Sequence, residues 1–425
     1  MIAETSDKGN TSPYRWWMLF QISLLTFFIS GIAWGIMPVL FHEIAQPRDV
    51  GLGLSLIQLG AVWGIMPLAL ALLSIPSGIL GDRYSVRWII GIGAILAALA
   101  SAGRGMSDSF PALLSWMFLF GVGYAIFGPN IPKFVGTWFQ SKELGMANGI
   151  VFSALGLGSA VAVQFGGSFF SPAVGGWRNT LYIIGFICLL IGILWLLVVR
   201  MPKPDEAATK RGPVSRQALF HGLQVGLKTK DVWLLAICQM LFLGAWLGMS
   251  GYLPMYLVTG KGMTKATAYG YASLAGYFYM IGNIVVPMLS DRLGRRRIVY
   301  VVTIGAAAIF LMCVPFVSGP TLAVVLAVIG FCGGGYVIPR VIPIEHPRVG
   351  IALAGSVFGL MASMGFLGGF ISPIAGNTIA AKAGGDIAII SWASVILLAA
   401  IIFSFMTETH PRRAGKIKQA GLSSN

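Results

Sequence analysis

Gly78-Ile79-Leu80-Gly81-Asp82-Arg83-Tyr84-Ser85-Val86-Arg87-Trp88 is a short charged turn set between two long apolar runs. About half a chain later, Pro287-Met288-Leu289-Ser290-Asp291-Arg292-Leu293-Gly294-Arg295-Arg296-Arg297 repeats it in a matching place. An Asp-Arg pair, a turn residue and then basic residues is what a tight link between two membrane helices needs. Gly or Ser permits the turn, and the basic side chains stay out of the bilayer. Two copies, each flanked by apolar runs, predict a duplicated membrane fold.

The composition agrees. Of 425 residues 56% are hydrophobic and 10% charged, where soluble globular domains carry about a quarter charged. Apolar runs of about 20 residues, enough to cross a bilayer, recur along the whole chain. They place twelve spans near 16–41, 54–80, 88–106, 111–138, 145–171, 179–200, 232–258, 268–290, 298–317, 321–343, 350–373 and 387–406. Met201 to Lys230 is the one long polar segment between spans. The expected organisation is a first six-helix bundle (1–200), a linker (201–230), a second bundle (231–410) and a tail (411–425). The net charge of +15 lies mostly in the loops on one side, in the linker and in the tail. That is the positive-inside pattern of a multi-pass protein of the cytoplasmic membrane with both termini cytoplasmic, and not that of a nucleic-acid binder. The expected partners are the lipid bilayer and a small molecule, and the expected state is a monomer.

Cys188, Cys238, Cys313 and Cys332 all fall within apolar runs, and the four histidines are scattered at span ends or loops. No metal site, disulfide or cofactor is expected from them. None of the fourteen acidic residues falls inside a predicted span, which argues against proton coupling through a buried carboxylate and against an organic-cation site. No span interior holds an acid or histidine beside a nucleophile, so an enzyme is not expected.

The halves match beyond the turns. Gly35-Ile36-Met37-Pro38 near the end of the first span answers Gly251-Tyr252-Leu253-Pro254 in the seventh, and Ile131-Pro132-Lys133 in the fourth answers Ile338-Pro339-Arg340 in the tenth. The two turns resemble the G-x-x-x-D-[RK]-x-G-x-[RK]-[RK] motif of the major facilitator superfamily. Gly78, Asp82, Arg83 and Arg87 match in the first copy, with Ser85 and Trp88 departing. Asp291, Arg292, Gly294, Arg296 and Arg297 match in the second, with Pro287 departing. The segment Trp138 to Gly149 and the triplet Gly176-Trp177-Arg178 are further likenesses. The resemblance implies an all-α fold of twelve transmembrane helices in two pseudo-symmetric bundles of inverted repeats, with a site near the midplane between them. Asp82 and Asp291 can accept hydrogen bonds from the arginines of their own loops and from helix N-termini across the cytoplasmic seam, so Asp82, Arg83, Arg87, Asp291, Arg292 and Arg296 are expected to form a conformational latch that favours the outward-facing state. Met117 stands where many members carry a fourth-span arginine, and the fifth span lacks the Gly-Pro motif of proton-driven drug exporters.

Apart from Arg104 and Arg200 near span ends, Lys133 and Arg340 are the cations left within spans, each about 12 Å to the cytoplasmic side of its helix midpoint. Two readings remain for them: an anion site with one cation from each half, or snorkelling toward the inner surface with Glu143 or Glu345 as neighbours. Trp34, Gln58, Asn130, Gln239, Trp246 and Tyr336 complete the candidate binding set, while Arg104 is expected to meet headgroups. The reading is a secondary transporter moving a small anion, carboxylate-like or inorganic, by alternating access. The alternative is an exporter of neutral or amphipathic compounds, and a transporter-like receptor finds no sensor domain.

Overall fold

The computed structural model of the chain describes residues 13–139, 141–201, 228–346 and 349–408, with the side chains of Asp82 and a few others left outside the description. Among the described residues twelve helices are long and apolar enough to cross a membrane. They are α1 (Tyr14–Ile44), α2 (Leu56–Gly81), α3 (Val86–Met106), α4 (Phe110–Trp138), α5 (Glu143–Ala173) and α6 (Trp177–Val198), then α7 (Lys230–Thr259), α8 (Lys265–Leu293), α9 (Arg296–Phe316), α10 (Gly319–Glu345), α11 (Val357–Ala383) and α12 (Gly385–Ser404). The spans lie where hydropathy puts them. The eleventh helix, Gly350–Ala383, runs further than expected because Pro373 sits within it without ending it.

The helices form two groups of six. Within the first, α3 packs on α4 and α6, and within the second, α9 packs on α12 and α8 on α10. The groups meet along α2 with α11 and α5 with α8. The end of the bundle that carries the two Asp-Arg turns is called here the basic end, and the opposite one the far end. Small residues set how closely the halves approach. A methyl built on Gly60 or Gly64 of α2 would lie 2.6 Å from a carbonyl oxygen of α11. On α5, a methyl at Gly167 would lie 2.6 Å from the Tyr269 ring of α8, one at Gly156 3.5 Å from Met280, and one at Gly149 or Gly145 would meet nothing within 4 Å. Gly78 of α2 and Gly355 in the first turns of the eleventh helix are equally open. The halves are therefore sealed at the far end and part toward the basic end.

Polar contacts follow the same gradient. At or beyond the middle of the bundle toward the far end, Tyr269 Oη donates to the Val39 carbonyl (3.1 Å), Trp63 Nε1 to that of Leu247 (2.7 Å) and Asn377 Nδ2 to that of Leu56 (2.8 Å). Tyr277 Oη donates to Gln164 Oε1 (2.7 Å), and Lys265 Nζ lies 3.8 Å from Glu43 Oε1. Each of these joins the two halves.

At the basic end the ion pairs and hydrogen bonds between described residues stay within one half. Arg296 pairs with Asp291 and, at 2.8 Å, with Glu345. Arg87 donates to the Leu196 carbonyl, and Arg83 and Arg292 are exposed. Among the described residues nothing bridges the halves at these turns, and Asp82 falls outside the described side chains. The turns also differ from each other. Gly294 has φ +62°, a left-handed cap that suits glycine, whereas Ser85 caps α3 with φ −58° and ψ 122°. The first copy thus dispenses with the second glycine because its chain reverses through extended backbone.

Candidate functional site

The second half gathers four of the expected residues into one cluster. Gln239 and Trp246 lie two helical turns apart on one face of α7, with Phe242 between them. Tyr336 and Arg340 lie on the 3₁₀ stretch Gly334–Arg340 that interrupts α10 around Pro339, before it resumes at Ile342. Gln239 Nε2 donates to Tyr336 Oη (2.7 Å), and Arg340 Nη2 donates to the same oxygen (3.2 Å). The Arg340 guanidinium lies 4.7 Å from the Tyr336 ring centroid, a cation–π contact. Tyr336 stacks on Phe242 at 5.0 Å, Phe242 on Trp246 at 5.8 Å and Trp246 on Tyr279 at 4.7 Å. A methyl on Gly333 would lie 2.8 Å from the Trp246 indole, so the glycine admits the ring. Tyr336 is buried and Arg340 is exposed. The helices around this cluster, α7 and α8, both touch the first half toward the far end, so its open side faces the cleft between the halves. Gln239 Oε1 and Asn283 Oδ1 are buried without a hydrogen-bond partner among the described residues.

The first half presents a different wall. Trp34 packs against Trp63 at 6.0 Å and Tyr124 at 5.5 Å, and its indole nitrogen is buried without a partner among the described residues. Lys133 Nζ donates to the Gly78 carbonyl (2.7 Å), so the fourth-span cation is tied to α2 of its own half. Asn130 is fully buried, and its amide donates to Ser77 Oγ (3.1 Å) and the Ile126 carbonyl (2.9 Å). It ties α4 to α2. Gln58 belongs to the helix start instead of the cleft: it forms a capping box with Ser55 at the far end of α2. The pattern Ser55-x-x-Gln58 before an apolar run is a readable cap that the cavity assignment overlooked.

Three expected neighbours also fall elsewhere. Glu143 pairs with Arg15 at 2.7 Å and Glu345 with Arg296, so neither carboxylate is placed as the salt-bridge partner of Lys133 or Arg340. Arg104 does not meet headgroups. It is fully buried in the first half, donating to the Ala33 carbonyl (2.8 Å) and Ser101 Oγ (2.6 Å) and lying 4.5 Å from the Phe120 centroid. Arg178 of the Gly-Trp-Arg triplet donates to the Gly105 carbonyl (3.0 Å), stapling α6 to the end of α3.

Two six-helix groups sealed at one end, with a cation and an aromatic wall on the cleft between them, define a multi-pass membrane transporter rather than an enzyme. The family model described as Major Facilitator Superfamily matches residues 19–373, and the chain belongs to that family. It is 26% identical over 408 residues to a probable nitrate/nitrite antiporter, NarK1, of Thermus thermophilus, covering 88% of this chain and 87% of that one. It is 26% identical over 363 residues to a nitrite extrusion protein of Bacillus subtilis (strain 168), covering 83% and 85%. To a probable galactarate/D-glucarate transporter, GarP, of Escherichia coli (strain K12) it is 22% identical over 417 residues, covering 86% and 88%. Among solved structures, an inward-facing, unoccupied bacterial homolog of the human lysosomal transporter Spinster has a TM-score of 0.74 at 17% identity, covering 95% of this chain and 98% of that one. This last likeness concerns the fold alone.

Proposed function

We propose that the chain carries a small anion, carboxylate-like or inorganic, across the cytoplasmic membrane by alternating access, as a monomer with the basic end and both termini in the cytoplasm. The observation that carries this reading is Arg340, an exposed guanidinium laid on a braced tyrosine in a cleft that opens toward the basic end. An arginine can grip a carboxylate or a nitrate through two parallel hydrogen bonds, and Tyr336, fixed by Gln239, holds the fork in place. Lys133 is the cation of the opposite half, and its bond to the Gly78 carbonyl leaves it the secondary contact. The relatives named for nitrate, nitrite and galactarate support an anionic substrate. The described carboxylates sit at span ends, so exchange, or symport in which the anion carries the proton itself, fits better than side-chain coupling.

A second reading keeps one observation of its own. The Trp246–Tyr279 stack and the Trp34–Trp63 pair bring large aromatic rings together in each half, with Trp34 and Trp246 half-buried, which suits a neutral or amphipathic solute. Uptake into proteoliposomes from a panel of labelled nitrate, nitrite, mono- and dicarboxylates, neutral solutes and organic cations separates the two. The anion reading requires saturable uptake of at least one anion that other anions compete for. Saturable uptake confined to neutral or cationic compounds would replace it with the second.

A further inference from the structure

Arg104 is the most deeply buried charge among the described residues. It is fully buried, and among the described residues no carboxylate pairs with it and its Nε has no partner. An ion taken out of water without a counter-charge is expensive and is retained where it does something. Its neighbours show what it holds. The helix α1 is not continuous: it is α-helical over Tyr14–Leu25, π-helical over Thr26–Ala33, and α-helical again over Met37–Ile44. Arg104 Nη2 donates to the carbonyl of Ala33, the last residue of the π-helical stretch. Pro38, four residues after Trp34, has no N–H to give the Trp34 carbonyl. Gly35 lies against the backbone of Ser159 on α5, where a methyl would be 2.9 Å away. The break is therefore local to the Ala33 and Trp34 carbonyls, while Ile36 still donates to the Ile32 carbonyl (3.0 Å) and Leu40 to that of Ile36 (3.3 Å) around it.

Beyond the break, the arm Met37–Ile44 carries part of the first half's share of the far-end seal, beside α2 and α5. Val39 accepts from Tyr269, and Glu43 faces Lys265. Arg104 Nη1 also lies 3.6 Å from Met117 Sδ. A positive charge on α3 is thus delivered to the position on α4 where a methionine stands.

We infer that Arg104 is the positioning residue of a hinge in α1: its charge holds the Ala33 carbonyl out of a regular helix and so keeps the arm Met37–Ile44 bent onto the second half. Straightening α1 would turn that carbonyl toward the N–H of Met37 and take the best acceptor from a buried cation. The bent arm and the engaged arginine stabilise each other, and both belong to the far-end-closed state. Trp34, in the break itself, moves with it, which links the hinge to the aromatic wall of the cleft. This inference takes from the proposed function only that the basic end is cytoplasmic, and it holds for any substrate.

The test is the reactivity of a cysteine on the arm. Val39 is fully buried, with its side chain against Gly166 and Gly167 of α5 and its carbonyl on Tyr269 of α8, so Val39→Cys, in a background with Cys188, Cys238, Cys313 and Cys332 replaced, reports when the arm leaves this packing at the α5–α8 seam. Arg104→Gln should raise its labelling by a membrane-impermeant maleimide applied to the far side at least threefold. Arg104→Lys, which restores a charge that reaches the same carbonyl, should return it most of the way. If Arg104→Gln fails to insert, Pro38→Ala substitutes for it: an added N–H favours the straight helix and should raise labelling with Arg104 intact. Unchanged labelling in a variant of normal abundance and melting temperature would overturn the hinge, leaving Arg104 a packing residue. Equal increases for Arg104→Gln and Arg104→Lys would overturn the role of charge.

Discussion

Trp63→Phe removes the hydrogen bond that the indole gives to the Leu247 carbonyl across the two halves (2.7 Å) and keeps an aromatic ring in the seal. The carbonyl retains its place in the helix ladder of α7, so the loss is that of a typical buried hydrogen bond, about 1 kcal/mol. The indole also fills the space against Gly251, where a methyl would sit 2.5 Å from it. A smaller ring leaves a gap there, which brings the total to about 1–2 kcal/mol, a factor of roughly 5–30 in the equilibrium. That penalty applies only where the far end is closed, since the open state gives water access to both groups. Asp49 and Lys382 are exposed at the far end, one on each half, and spin labels on cysteines there report its separation. Trp63→Phe should enlarge the long-distance population at least fivefold. A distance distribution identical to that of the parent would show that the Trp63 contact does not hold the seal.

Two smaller outcomes follow from the same contacts. Glu345 and Arg296 are both largely buried, at 13% and 7% side-chain exposure, whereas Asp291 is 58% exposed; Glu345→Gln should therefore lower the melting temperature of the purified protein more than Asp291→Asn, whose pair is worth at most about 1 kcal/mol. The reverse order would mean that the turn, and not the buried pair, anchors α9 to α10. Glu43→Gln and Glu143→Gln should leave proton-driven accumulation in place, because both carboxylates serve ion pairs at span ends; abolished accumulation with intact exchange in either variant would assign it the coupling proton.

The spans were legible because membrane helices must be apolar along their whole length, and the duplication because both Asp-Arg turns must interrupt them. Gln239, Trp246, Tyr336 and Arg340 could be picked out for the same reason: polar and aromatic groups inside a span need a protein-lined or wet surface. Their mutual contacts could not be read, since these depend on α7 and α10 lying side by side. Lys133 and Arg340 match in sequence yet differ in setting, one bound to a backbone carbonyl and one stacked on a ring. Arg104 shows the limit most clearly. An arginine near a span end looks identical whether it snorkels outward or turns into the bundle, and only the approach of α1 and α4 decides. Two local hints pointed inward: Ser101 one turn earlier, and the uncharged Met117 on the neighbouring helix.

The central claim is that an anion is held by Arg340, and titration of purified Arg340→Gln against the parent, with the anion that the uptake panel selects, tests it most directly. Removing the cation from the occupied, closed cleft should weaken binding at least tenfold, or 1.4 kcal/mol, with Arg340→Lys recovering part of the loss because a point charge replaces a fork. Lys133→Gln should weaken it less, since that ammonium is already spoken for by the Gly78 carbonyl. Affinity within about twofold of the parent for Arg340→Gln, in protein of normal melting temperature, would contradict the account and leave the aromatic walls as the binding surface.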